Sequence, residues 1–147
     1  DELRLAARAQ HIGRWMIART AYPEGPLGYK QWRAALTKLH AETAAELLAQ
    51  AGLAAESVAR VQALIRKERL KSDADSQQLE DVVCLFFLEN YFAEFSARHD
   101  PEKVVDILRK TWKKMGAQGQ AEALKLPMGA EAQALVARAL APALAPE

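Results

Sequence analysis

The sequence predicts an all-α protein, a bundle of about six helices. Alanine, leucine, glutamate and arginine dominate the chain, and these residues favour helix. Apolar residues recur at helical spacing, and no stretch alternates apolar and polar residues as a half-buried strand does. The chain has 147 residues, enough for one hydrophobic core, so we expect a single helical domain over 1–147.

The first helix is predicted over about residues 2–18 from its apolar spacing. A loop over 21–28 follows, because prolines and glycines are concentrated there. The second helix is predicted over about 29–51. It ends at Gly52, the residue type preferred just beyond a helix C-terminus.

The third helix begins near Ala54 and ends in a basic run, 66–71. A turn at 72–75 supplies a serine or an aspartate that can cap the next helix. The fourth helix, about 74–98, is apolar almost all round between 82 and 88. We therefore expect it to be the central, buried helix.

The fifth helix opens with Asp100, a proline at the first helical position and an acidic first turn, and it ends near Met115. Residues 117–127 are expected to form a loose connection. A short sixth helix is predicted over about 130–140, and the tail 141–147 is expected to fray.

Composition limits the class of protein. The formal net charge is +1, which gives no global field towards nucleic acid or membranes, so we expect neither partner and keep nucleic acid as an alternative. The longest apolar stretch, 82–88, is far shorter than the ~20 residues that span a bilayer. The one cysteine, Cys84, allows no disulfide within the chain, which predicts a cytoplasmic protein. The chain starts at Asp1 without a methionine, and we expect a missing N-terminal segment.

Candidate catalytic residues are His11, His40 and Asp81, each on a different predicted helix. Imidazole nitrogens and carboxylate oxygens from facing helices of a bundle can hold a divalent metal that activates water for phosphoester hydrolysis. No two of the three share a close metal motif. The alternative is that the histidines are structural and donate to a carboxylate or a carbonyl. We expect no cofactor; a divalent metal, held by these three residues, is the other possibility.

Candidate anion-binding residues surround His11. Arg8, His11 and Trp15 share one face of the predicted first helix. Arg14 and Arg33 add further guanidinium groups, which bind phosphate or carboxylate in a bidentate manner, and a tryptophan can stack on a ring. The alternative is that the tryptophans pack in the core while the arginines extend to solvent.

Glu89 lies eight residues after Asp81, so the two point within roughly 80° of each other on one helix. A carboxylate in an apolar helix is costly unless it is paired. We therefore predict that Glu89 forms a structural ion pair, with a role in the site as the alternative.

The chain resembles a bacterial and fungal family of domains of unknown function, number 4202. The resemblance covers nearly the whole chain, and further residues usually precede this start in that family. It rests on the following residues: Ala7-Arg8-Ala9-Gln10-His11-Ile12, Trp15, Tyr29, Trp32-Arg33, Leu39-His40-Ala41, Leu79-Glu80-Asp81-Val82 and Arg109-Lys110-Thr111-Trp112.

The chain also resembles, more distantly, the HD superfamily of phosphohydrolases, which implies an HD-domain-like orthogonal bundle. Three metal ligands of that superfamily are changed: Ile12 follows His11, Val83 stands where the last aspartate belongs, and Lys67 stands near a histidine position. The resemblance therefore implies a pocket that is poor in metal ligands, with a lysine positioned for an anion.

The leading hypothesis is a nucleotide-like, phosphorylated or carboxylated small molecule bound between the first, second and fourth helices. The anion contacts would come from Arg8, Arg14, Arg33 and Lys67. If the protein hydrolyses its ligand, a histidine acts as acid and base and Asp81 orients it. The alternatives are a non-enzymatic module that binds protein or RNA and a metal-dependent phosphohydrolase. The oligomeric state is not predicted.

Overall fold

The computed structural model describes residues 1–70 and 72–141. The prediction of an all-α protein is confirmed, since these residues form helices and connections and no strand. They contain more helices than the six predicted: α1 (Glu2–Ala9), α2 (Gly25–Gln50), α3 (Ala55–Ile65), α4 (Ala74–Asn90), α5 (Phe92–Ala97), α6 (Pro101–Lys114), α7 (Ala117–Ala123) and α8 (Ala130–Leu140). Two 3₁₀ turns, Arg14–Met16 and Arg19–Ala21, lie between α1 and α2. The HD-like arrangement stays a prediction.

The first helix is shorter than predicted, and the second begins earlier. Helix α1 ends at Ala9, and Gly13 has a φ of +67°, a left-handed conformation in which an α-helix cannot continue. Helix α2 begins at Gly25, with a proline in its first turn, where the missing N–H costs nothing. Gly28 packs so closely on the preceding loop that an added Cβ would lie 1.8 Å from the carbonyl oxygen of Pro23.

The predicted fourth helix is broken in two. Helix α4 ends at Asn90, and Tyr91, with φ −125°, separates it from α5. The connection predicted over 117–127 contains a helix of its own, α7. The predicted frayed tail, 141–147, lies outside the described residues apart from Ala141.

Helix α4 is not buried all round, so that prediction is wrong. Cys84 and Leu88 are buried, but Val82 and Phe86 expose 44% and 55% of their surface. An apolar sequence on every side of a helix therefore does not require a partner on every side. Packing covers one face here, and large apolar side chains remain on the other.

The contacts divide the described chain into two compact units, and the division falls within α4. The N-terminal unit is Asp1–Leu79, and the C-terminal unit begins at Glu80. Each has its own hydrophobic core, and the single domain stays a prediction. The N-terminal core contains Ala6, Ala41, Ala44, Val61, Leu64, Ile65 and Leu79. The C-terminal core contains Cys84, Leu88, Phe92, Val104, Val105, Leu108, Met115, Ala123, Ala132 and Ala139.

Helix ends are stabilised as the sequence suggests. Asp73 accepts hydrogen bonds from the backbone N–H groups of Asp75 and Ser76 at the start of α4, at 3.0 and 3.1 Å. The same carboxylate pairs with Arg60, and this hydrogen bond is the main reason that its pKa lies well below the usual range. Within the described residues, no helix combines the length and the apolar character needed to cross a membrane.

Candidate functional site

His40 lies on α2, and only 3% of its surface is exposed. Its Nδ1 is 2.6 Å from the carbonyl oxygen of Ile12. Because a carbonyl oxygen can only accept, Nδ1 carries the proton and donates it. The other ring nitrogen, Nε2, is buried and has no hydrogen-bond partner. His40 therefore joins α2 to the turn after α1 through Nδ1, while its Nε2 has no hydrogen-bond partner.

His11 lies in the turn after α1, next to His40. The two ring centroids are 6.0 Å apart, and the rings meet edge to face at 71°. His11 is exposed, whereas His40 is buried. The structure thus brings together the two histidines that the sequence singled out, on two different segments of the N-terminal unit.

Cationic side chains gather around the two rings. Partial desolvation of the His11 ring is the main cause that lowers its pKa, and nearby basic side chains lower it further: Arg14, Arg33, His40 and Lys67. Burial also lowers the pKa of His40, as do Arg14 and Arg33, while the hydrogen bond to Ile12 raises it. We call His11, Arg14, Arg33, His40 and Lys67 the cationic cluster.

Arg14 is held in position by a tryptophan. Its guanidinium carbon lies 4.7 Å from the ring centroid of Trp32, a cation–π contact. Trp32 is buried, and its indole Nε1 donates to the carbonyl oxygen of Ile17 at 2.9 Å. The ring therefore fixes both the loop before α2 and the arginine above it. Core packing, the alternative considered for the tryptophans, is found for Trp32.

Lys67 lies in the turn that ends α3, and its φ is +57°. The backbone N–H groups of Lys67 and Glu68 bond to the carbonyl oxygens of Leu64 and Ala63, both at 3.0 Å. This is the Schellman pattern, in which glycine is the preferred left-handed residue. Helix α2 ends in the same pattern with Gly52, at φ +83°. A lysine at this position carries a backbone cost that glycine avoids.

The sequence predicted that Arg8 and Trp15 share a helical face with His11, and this prediction is wrong. That prediction needed a continuous helix to residue 18, and α1 ends at Ala9. Arg8 is exposed, and no contact in the described part of the chain joins it to the cationic cluster. Trp15 exposes 83% of its surface, so it is not a core residue.

Asp81 belongs to the C-terminal unit, where it has a structural partner. It is 8% exposed, and its Oδ1 accepts a hydrogen bond from the backbone N–H of Gly116 at 2.8 Å. Gly116 caps α7, and a Cβ added to Gly119 on that helix would lie 2.5 Å from Asp81 Cγ. The carboxylate therefore fixes the start of α7. Across residues 1–70 and 72–141, no group of three or more His, Cys, Asp or Glu side chains is arranged to hold a metal.

Glu89 is exposed, and no cation pairs with it in the described residues. It lies on the uncovered side of α4, so the desolvation that would have required a partner does not arise. Its functional role stays a prediction.

A small apolar cavity occurs in the C-terminal unit and contains none of the predicted site residues. It is lined by Leu88, Leu108, Thr111, Trp112, Ala123, Met128, Val136, Ala139 and Leu140.

Sequence reasoning missed two parts of the cluster. His40 donates to a carbonyl, as the structural alternative had it, but the identity of that carbonyl was missed, because Ile12 lies 28 residues away and a carbonyl has no side-chain signature. The cation–π contact of Arg14 with Trp32 was also missed. The glycine at position 13 was a sequence signal for the contact between His40 and Ile12. Its left-handed backbone ends the helical region and turns the chain towards α2.

A comparison with protein-family models matches residues 1–136 to the domain of unknown function DUF4202. No curated protein and no solved structure matches the chain. The family match covers nearly the whole sequence, in agreement with the resemblance noted above. The chain belongs to the DUF4202 family.

Proposed function

We propose that the N-terminal unit binds a small anionic molecule, through a phosphate or carboxylate group, at the cationic cluster. One observation carries the proposal. A buried imidazole nitrogen without a hydrogen-bond partner lies among cationic side chains, and in the described residues no salt bridge connects Arg14 or Arg33 to a carboxylate. A buried polar atom without a partner is costly, and such atoms mark places where a further group belongs.

The electrostatics of the cluster support an anion. The positive charges of Arg14, Arg33 and Lys67 all disfavour protonation of His11. Charges of the same sign repel one another, so the free cluster is less stable than one that contains a negative group. A phosphate or carboxylate between the guanidinium groups would reverse this repulsion and accept charge-assisted hydrogen bonds.

The same charges do not suit a divalent metal. In the cationic cluster, only the imidazoles of His11 and His40 have a neutral nitrogen whose lone pair could bind a metal. The other members of the cluster are cations. Arginine and a protonated lysine have no lone pair to give, and they repel a metal ion. The residues therefore fit an anion better than the metal that an HD-like site would hold, and we propose no hydrolytic step through a metal.

Arg33→Gln tests the proposal. It removes one charge of the cluster without affecting the cation–π contact of Arg14. Calorimetric titration of the chain with inorganic phosphate should show binding that is roughly tenfold weaker in this variant, as expected for one charge-assisted hydrogen bond.

Arg4→Gln is the matched control, because it makes the same charge change at an exposed position on α1 of the same unit. It should bind phosphate like the unmodified chain. Equal losses of phosphate affinity in Arg33→Gln and Arg4→Gln would mean that net charge, and not the cluster, causes the effect. An absence of phosphate binding in the unmodified chain would refute the proposal.

A further inference from the structure

The orientation of His40 fixes what its free nitrogen can do. Nδ1 uses its proton on the Ile12 carbonyl, 2.6 Å away. In the neutral ring, Nε2 then has a lone pair and no proton, so it can only accept a hydrogen bond. The cluster thus combines cationic donors, from Arg14 and Arg33, with one buried acceptor.

A site that has several hydrogen-bond donors and one acceptor can distinguish a protonated oxyanion from one without a proton. An anion whose oxygens all lack protons offers only lone pairs, and one of them would face the lone pair of Nε2. Inorganic phosphate keeps at least one proton at neutral and mildly alkaline pH, whereas sulfate of the same shape has none. A lone pair that faces another lone pair in a buried site is penalised as an unsatisfied group.

We propose that His40 Nε2 accepts a hydrogen bond from a protonated oxygen of the bound anion, so that the cluster selects hydrogen phosphate over sulfate. This inference rests on the proposed function, since it assigns a chemical preference to the same site. Nε2 is shielded from solvent. The ligand reaches it when a neighbouring side chain moves, and the exposed His11 ring, 6.0 Å from the His40 ring, is the one we expect to move.

The selectivity should depend on pH. The charged and titratable groups that act on His40 are His11 and Arg14 from the segment after α1 and Arg33 from α2, and Lys67 from the turn after α3 acts on His11. Burial and the two arginines lower the pKa of His40, which keeps the ring neutral at neutral pH. In acid the ring gains a proton on Nε2 and becomes a donor. Sulfate should then bind as well as phosphate.

The test is a pair of calorimetric titrations of the whole chain, with inorganic phosphate and with sulfate, at equal ionic strength and mildly alkaline pH. Phosphate should bind at least about tenfold more tightly than sulfate. Equal binding of the two anions would overturn the selectivity and leave the proposed anion site intact. Binding of neither would refute the proposed function itself.

The variant His40→Asn tests whether His40 Nε2 causes the selectivity for phosphate over sulfate. The asparagine amide can still donate to the Ile12 carbonyl in place of Nδ1, but nothing replaces Nε2. Phosphate affinity should fall because the hydrogen bond to Nε2 is lost, and sulfate affinity should rise because its oxygen no longer faces the Nε2 lone pair, so the ratio of the two affinities should approach one. His99→Asn is the matched control, because His99 Nδ1 makes the same kind of bond, to the Phe95 carbonyl at 2.8 Å, outside the cluster. It should keep the tenfold ratio, and loss of the ratio in both variants would refute the assignment.

A measurement on the unmodified chain covers the case in which His40→Asn does not fold. Nitrogen-15 spectra of the histidine rings should show His40 with a protonated Nδ1 and an unprotonated Nε2 at mildly alkaline pH. Addition of phosphate should shift the Nε2 resonance towards the value of a hydrogen-bonded acceptor. A protonated Nε2 in the free chain at that pH, or no shift at saturating phosphate, would overturn the inference.

Discussion

The two units each bury a polar side chain that the sequence marked as catalytic, and the two side chains have opposite surroundings. Asp81 of the C-terminal unit is 8% exposed and accepts a backbone hydrogen bond at 2.8 Å. His40 of the N-terminal unit is 3% exposed, and one of its ring nitrogens has no partner. Burial alone therefore does not identify a functional residue. A buried group whose hydrogen bonds are made is part of the fold, whereas one left unsatisfied, at a cost of about 1–3 kcal/mol, points to a ligand.

The largest expected effect is that of Gly119→Ala. The added Cβ would lie 2.5 Å from Asp81 Cγ, and the carboxylate cannot move away without losing its bond to Gly116. We expect the free energy of unfolding to fall by about 3 kcal/mol in urea titrations. Gly129→Ala is the control, since nothing lies within 4 Å of its added Cβ. Similar losses in the two variants would contradict the tight contact between Asp81 and α7.

Asp81→Ala should cost about 2 kcal/mol of stability, because the N–H of Gly116 loses its acceptor. Phosphate affinity should not change, because this carboxylate already has a structural partner. Urea unfolding and calorimetric titration of the same preparation give both quantities. If the variant folds but no longer binds phosphate, Asp81 is not purely structural, and it belongs to the binding site as the sequence predicted.

Lys67→Gly should raise the free energy of unfolding by about 1 kcal/mol, since glycine adopts a φ of +57° without the strain of a side chain. It should also weaken phosphate binding, because the cluster loses a charge. Gly52→Ala, at the equivalent position of α2, should lower stability by a similar amount. If Lys67→Gly is destabilising instead, the lysine side chain supports the fold and its position needs no functional explanation.

The smallest expected effect is a dependence of stability on pH. The pKa values of His11 and His40 are lowered from 6.5 in the folded chain, so below that pH the unfolded chain binds more protons than the folded one. Stability should therefore rise as the pH increases to about 6.5 and should not gain further from these groups above it.

Thermal unfolding of the unmodified chain and of a His11→Gln, His40→Asn double variant, at several pH values, measures this contribution. The double variant should have a shallower slope below pH 6.5. Saturating phosphate should reduce the slope of the unmodified chain, because the negative charge of the anion raises the pKa of His11. An unchanged slope in the double variant would mean that other groups cause the acid sensitivity.

The parts of the fold that depend on neighbouring residues were predictable. Asp100 accepts hydrogen bonds from the N–H groups of Glu102 and Lys103, so α6 begins where its cap was expected. Gly52 ends α2 in the left-handed conformation that its position suggested. Such signals lie within a few residues of the structure they predict, which is why helical class and several helix ends could be derived from sequence.

The parts that depend on distant residues were not predictable. The exposure of Val82 and Phe86 depends on which faces of α4 other helices cover, and the apolar pattern does not contain that information. In the site, the approach of His11 to His40 was expected. A bond from His40 to a backbone carbonyl was one of the alternatives, but Ile12 could not be identified as the partner, because every residue type has a carbonyl group and sequence does not distinguish one from another.

Gly28 also affects how this protein can diverge. An added Cβ at this position would lie 1.8 Å from the Pro23 carbonyl oxygen, so no other amino acid fits while the loop keeps its path. The same loop precedes Trp32, on which Arg14 rests. Family members that retain glycine here should share the arrangement around Arg14, whereas members that have replaced it must have rebuilt the loop. We therefore expect the binding proposal to extend to family members that have glycine at this position.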